Sequence, residues 1–112
     1  MNFKWKMKDN ILIIEVLTKR ATVEVSGNFK EELIKRIDNG SSKVIVNLSQ
    51  SEFIDSSFLG ALVAGLKRTT MRDGDLKIVG LQPAVQSMFE LTRLYRIFDL
   101  FKHEEEAIRS FN

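Results

Sequence analysis

The chain has 112 residues, 44% hydrophobic and 29% charged, which is the size and composition of one soluble domain with its own core. Its 17 basic and 15 acidic residues leave a net charge of +2, too balanced and too scattered to imply nucleic acid. There is no cysteine and a single histidine, His103, which excludes disulfides, thiolate nucleophiles, cysteine metal sites and two-histidine metal sites within one chain.

Residues 3–7, "FKWKM", alternate apolar and basic side chains, the period of a half-buried strand, and "KDN" at 8–10 has turn chemistry. "ILIIEVL", 11–17, is a nearly continuous β-branched run that reads as a buried central strand and completes an N-terminal hairpin. The start of the segment 20–40 is ambiguous, because Thr22, Val23 and Val25 favour a strand. Its second half is helical: Phe29, Leu33 and Ile37 recur every four residues, so periodicity alone starts a helix near Ser26 and "DNG" at 38–40 ends it. "KVIVNL", 43–48, is a strand, after which Leu59, Leu62, Val63 and Leu66 follow helical spacing up to a turn at Asp73–Gly74. "LKIVGL", 76–81, is a further strand, and Pro83 suits the first turn of a helix whose apolar side is Val85, Met88, Phe89, Leu91 and Leu94. "IFDLF", 97–101, is a short strand or turn, and "EEEAIRSF", 104–111, is a short helix with its acids where the helix dipole favours them.

The order ββαβαβαβα predicts an α/β fold over 1–112 as a single domain, with a mixed and mostly parallel sheet and right-handed crossovers. No apolar run reaches the ~18 residues that cross a bilayer, and the basic N-terminus lacks a signal-type apolar core, so a cytoplasmic protein without a membrane span is expected.

No catalytic constellation is legible. Hydrolysis by a serine, histidine and aspartate would have to use His103, and there is no GxSxG elbow. Neither GxGxxG nor GxxxxGK[ST] occurs to cradle a phosphate. Glu104, Glu105 and Glu106 are consecutive and read as a solvated helix start. The expectation is a protein that is not an enzyme, with no cofactor and no metal.

The junction "FIDSSFLGAL", 53–62, is different. It places two serines at the carboxyl end of a strand, the edge at which open α/β folds meet ligands and partners. A hydroxyl there lies beside the free N–H groups of a helix start, which accommodate phosphate. The plainest reading makes a serine the N-cap, worth roughly 1 kcal/mol, with Asp55 an acid near the helix N-terminus.

"KVIVNLSQSEFIDSSFLGALVAGLKRTTMRDGDLKIVGLQPAVQSMFELTRLYRIFDLF" resembles the STAS domain of anti-sigma factor antagonists, in the strand "VIVNLS", the loop "FIDSS", the continuation "LGAL", the strand "LKIVGL" and the run "PAVQSMFELTRL" before "IFDLF". The resemblance spans residues 11–101. It implies a mixed sheet of four or five strands with helices packed mainly on one face. It also implies that the first helix starts at Val23, behind Thr22 in the place of a capping aspartate.

By the same resemblance, Ser56 is the residue phosphorylated by an anti-sigma factor that is also a serine kinase, and a serine phosphatase resets the switch. The unphosphorylated form would bind the anti-sigma factor and so regulate transcription. Asp55 would shape the loop or order the Ser56 hydroxyl, and Ser57 would lie at the helix start as neighbour or cap. Asp55, Ser57, Phe58, Leu59 and Gly60 are the expected loop and partner-binding positions, in a monomer or weak dimer. Phe58 departs from the family, which has glycine there; it is either buried on the inner face of the helix or exposed as an anchor or barrier. Gly60 keeps the second family glycine and is expected to allow close packing. The alternative is a STAS scaffold or accessory subunit of another assembly, serving stress sensing, phosphatase control or lipid transport.

Overall fold

A computed structural model describes all residues, Met1–Asn112. Strands β1 (Phe3–Lys8) and β2 (Ile11–Val16) form the expected hairpin, turning through Asp9 and Asn10, both at positive φ. A two-residue strand β3 (Arg20–Ala21) leads into α1 (Val23–Asp38). Then come β4 (Lys43–Asn47), a two-residue β5 (Phe53–Ile54), α2 (Ser56–Thr70) and β6 (Asp75–Val79). The chain ends with α3 (Pro83–Leu91), a 3₁₀ turn over Leu94–Arg96, β7 (Leu100–Phe101) and α4 (Glu104–Ser110).

The sheet has five strands in the order β1-β2-β4-β6-β7, with only the β1–β2 pair antiparallel. This is the mixed, mostly parallel sheet predicted. Its central register aligns Ile14 with Val46 and Val46 with Ile78. The alternation of side chains divides each central strand between two cores. Leu12, Ile14, Val44, Val46, Leu76 and Ile78 face α1 and α2, while Ile11, Ile13, Ile45 and Val79 face α4. The helices therefore lie mainly on one face, and α4 alone covers the other.

Three sequence expectations are corrected. Helix α1 starts at Val23, as the family resemblance implies, rather than near Ser26, because the apolar stripe marks only the buried turns of a helix and not its exposed first turn. Leu91 does not join the apolar side of α3: it is 80% exposed at the last helical residue, and Leu94 belongs to the separate 3₁₀ turn that begins after Arg93 takes a positive φ. Glu104 and Glu106 are not merely solvated. Glu104 accepts a hydrogen bond from Asn47 Nδ2 at 2.8 Å and lies 3.7 Å from Lys6 Nζ, which fixes α4 to β1 and β4. Glu106 reaches back to the His103 amide at the helix start.

Four aromatic rings fill the space between β1 and the first halves of α1 and α2. Phe29 and Phe58 stack with centroids 4.6 Å apart, Phe3 sits 5.0 Å from Phe29, and Trp5 sits 5.9 Å from Phe29. Offset aromatic pairs of this kind contribute beyond their buried area.

Candidate functional site: the start of helix α2

The two loops that precede α1 and α2 are joined along their length. Strands β3 and β5 pair in parallel, aligning Arg20 with Phe53 and Ala21 with Ile54. The Glu52 and Phe53 amides donate to the Lys19 carbonyl, and the Asp55 amide donates to the Ala21 carbonyl. Ser51 is fully buried and donates to the Thr18 carbonyl at 3.0 Å. These bonds satisfy backbone groups that a buried loop would otherwise leave unpaired.

Asp55 is the keystone of the junction. Its Oδ1 accepts from the Phe58 amide at 2.9 Å, which makes it the N-cap of α2. Its Oδ2 accepts from the Val23 amide at 2.8 Å, the first helical amide of α1. The expected serine cap is therefore replaced by Asp55, which shapes the loop; its oxygens are engaged with amides rather than with the Ser56 hydroxyl. Thr22 occupies the N-cap position of α1 but makes no side-chain capping bond, since Asp55 supplies that acceptor from the other loop.

Ser56 and Ser57 are the first two residues of α2, and both are exposed. Phe58 and Leu59 point the other way, at 0% and 3% exposure. Phe58 is thus the inner-face residue of the two alternatives, packed on Phe29. Gly60 is exposed, and a Cβ there would meet nothing within 4 Å, so it does not serve close packing inside the chain. The packing glycine of α2 is Gly65, whose Cβ would come within 2.6 Å of Leu33 Cδ2.

Beside Asp55 lies an open depression of about 700 Å³, lined in part by Lys19, Arg20, Val23 and Phe53. The Arg20 guanidinium lies 4.6 Å from the centre of the Phe53 ring, and Val23 is 65% exposed. Sequence reasoning placed Phe53 within the docking loop 49–58 but gave no such role to Arg20 or Val23. The rim offers a cation, an aromatic face and an aliphatic face beside Asp55, a combination suited to a protein partner. No three His, Cys, Asp or Glu side chains are grouped to hold a metal ion, and no helix is long and apolar enough to cross a membrane.

The sheet order, the paired loops and an aspartate-capped helix with serines at its first positions define a STAS domain. The STAS domain family model matches residues 3–107, and the chain belongs to that family. A Thermotoga maritima protein named as an anti-sigma factor antagonist is 29% identical over 107 residues, covering 95% of this chain and 94% of that one. The crystal structure of a Thermotoga maritima anti-sigma factor antagonist, tm1081, superposes with a TM-score of 0.88 over 97% of this chain and 93% of that one, at 26% identity. The anti-sigma-B factor antagonist of Staphylococcus aureus is 32% identical over 65 residues, 58% of this chain and 60% of that one. Bacillus SpoIIAA in its phosphorylated form shares the fold with a TM-score of 0.78 at 19% identity, covering 98% of this chain and 99% of that one.

Proposed function

We propose that this chain is a cytoplasmic anti-sigma factor antagonist that works by partner switching. Unphosphorylated, it binds an anti-sigma factor with serine kinase activity across the loop before α2 and the first turns of that helix. The partner phosphorylates Ser56, the complex weakens, and a serine phosphatase restores the binding form. The protein is a kinase substrate and not itself an enzyme.

The observation that carries this reading is the exposed Ser56 hydroxyl at the first position of α2, next to a cap already fixed by Asp55. A phosphate there brings close to two negative charges at neutral pH to a helix N-terminus, where backbone N–H groups and the dipole tolerate it. The fold then stays intact while the surface offered to the partner gains negative charge. Repulsion and desolvation at the docking surface supply the switch.

The test is phosphorylation itself. The protein is incubated with ATP and each candidate anti-sigma kinase of its source organism, and the product is mapped by mass spectrometry. Phosphate on Ser56, absent in Ser56→Ala, is the expected result. A kinase that is active on another antagonist yet leaves this one unmodified would overturn the reading and favour a scaffold role.

A further inference from the structure

Helix α2 holds two glycines in opposite surroundings. Gly65 is required by packing, because a Cβ there would collide with Leu33 and Leu76. Gly60 meets open space, and so does Gly27 in α1; neither takes a positive φ. Glycine inside a helix weakens it relative to alanine, so nothing within the molecule accounts for either residue.

Gly27 lines a groove, and Gly60 lies one helical turn before Ala64, which also lines it. Strands β2 and β4 are parallel, and α1 and α2 pack side by side on one face of the sheet with their first turns joined through Asp55. Helical spacing then sets Gly27, Glu31 and Ile34 on one ridge and Gly60, Ala64 and Met71 on the facing one. The groove between them measures about 620 Å³, and Gly27, Ile34, Ala64 and Met71 give it a small and apolar lining. Met71 is 79% exposed. At the far end Arg68 is bound to Asp38 at 2.6 Å. Lys30 and Lys67 also line the groove and enter no ion pair, so its free charge is cationic against the single carboxylate of Glu31.

We propose that this groove receives an acidic, apolar-faced helix of the anti-sigma factor, laid along α1 and α2 from the Ser56 end over Gly60 and Gly27. The inference rests on the partner-switching reading above and extends the docking surface well beyond the phosphorylated turn. Small residues let the partner helix approach closely, Ile34 and Met71 meet its apolar face, and Lys30 and Lys67 meet its acids.

The test uses the full chain and the anti-sigma kinase that phosphorylates it, with affinity measured by calorimetry. Gly27→Gln should melt a few degrees higher than the parent, because it replaces a helical glycine in open space. It should nevertheless bind at least tenfold more weakly. Lys67→Glu should bind at least fivefold more weakly, whereas Lys8→Glu, an equal charge reversal on the β1 edge, should bind like the parent. If the parent is bound and phosphorylated on Ser56 while both groove variants bind as tightly, the groove assignment is wrong and the partner-switching reading stands. If Gly27→Gln instead dissociates a dimer of the parent, the occupant is a second copy and the proposal fails. If no anti-sigma kinase binds the parent, the underlying reading fails and takes the groove assignment with it.

Discussion

Asp55 Oδ2 accepts a hydrogen bond from the Val23 amide at 2.8 Å, across 32 residues of chain. With its other oxygen on the Phe58 amide, one carboxylate starts two helices. Replacing Asp55 with Ala removes a cap and leaves a second helix amide without its acceptor, and should cost about 2–3 kcal/mol. Asp55→Asn keeps one acceptor oxygen and should cost roughly half as much. Urea unfolding checks both: the midpoint should fall in that order with an unchanged slope.

Ser56 is exposed and uninvolved in the loop's bonding, so its substitutions should read on binding and not on folding. Ser56→Ala should retain affinity for the anti-sigma partner and lose regulation. Ser56→Asp should bind roughly tenfold more weakly or worse, since a charge facing a docking surface carries a repulsive and a desolvation cost. Equal affinity of Ser56→Asp and the parent would sink the switch model for this residue.

The resemblance implies glycine at position 58, yet the Phe58 ring is stacked 4.6 Å from Phe29. Glycine should therefore be harmful here. Phe58→Gly empties a filled site and adds a helical glycine, for a loss of about 4–6 kcal/mol. Domains of this kind are stable by only about 5–15 kcal/mol, so the variant should be largely unfolded or melt far below the parent by circular dichroism. A variant that melted like the parent would mean that the four-ring cluster adapts to the void.

Asp75, at the start of β6, has its pKa raised, chiefly by burial and further by the nearby Asp99 carboxylate; its bond to the Leu76 amide and the charge of Lys77 oppose this only in part. The folded state thus holds this proton more tightly than the unfolded chain. The stabilisation is fully present below the unfolded pKa and is lost as pH rises through the folded one. Asp75→Asn, which keeps an oxygen for the Leu76 amide, should be more stable than the parent at neutral pH. That advantage should shrink toward zero as the pH falls below the ordinary aspartate range. Parallel stability curves for the two proteins against pH would contradict the assignment.

The order of elements was legible because it rests on local signals. β-branched runs in "ILIIEVL" and "KVIVNL" and the four-residue recurrence of Phe29, Leu33 and Ile37 report burial that the folded chain reproduces, whereas the alternation in "FKWKM" holds only through Trp5, since Met7 is exposed and Lys6 half-buried. The motif "IDSS" likewise marked the junction at which a helix begins, and Ser56 and Ser57 are indeed exposed there. What propensity misjudged was the segment 22–25, where β-branched residues sit in the first turn of α1 because the Val23 amide is held by a carboxylate from another loop.

By itself, then, the sequence determined the succession of strands and helices and the serine-bearing helix start, since each depends on neighbours within a turn or two, and the alternation of strands with helices implied the mostly parallel sheet through the connection rules. Only the tertiary structure decided that Asp55 caps α2 and receives α1, that Phe58 is core, and that Gly65 is needed inside while Gly60 and Gly27 are not. The physical reason is the same in each case. A hydrogen-bond acceptor, an aromatic ring and a missing Cβ take their meaning from atoms that the chain brings near only after the strands have paired and the helices have packed.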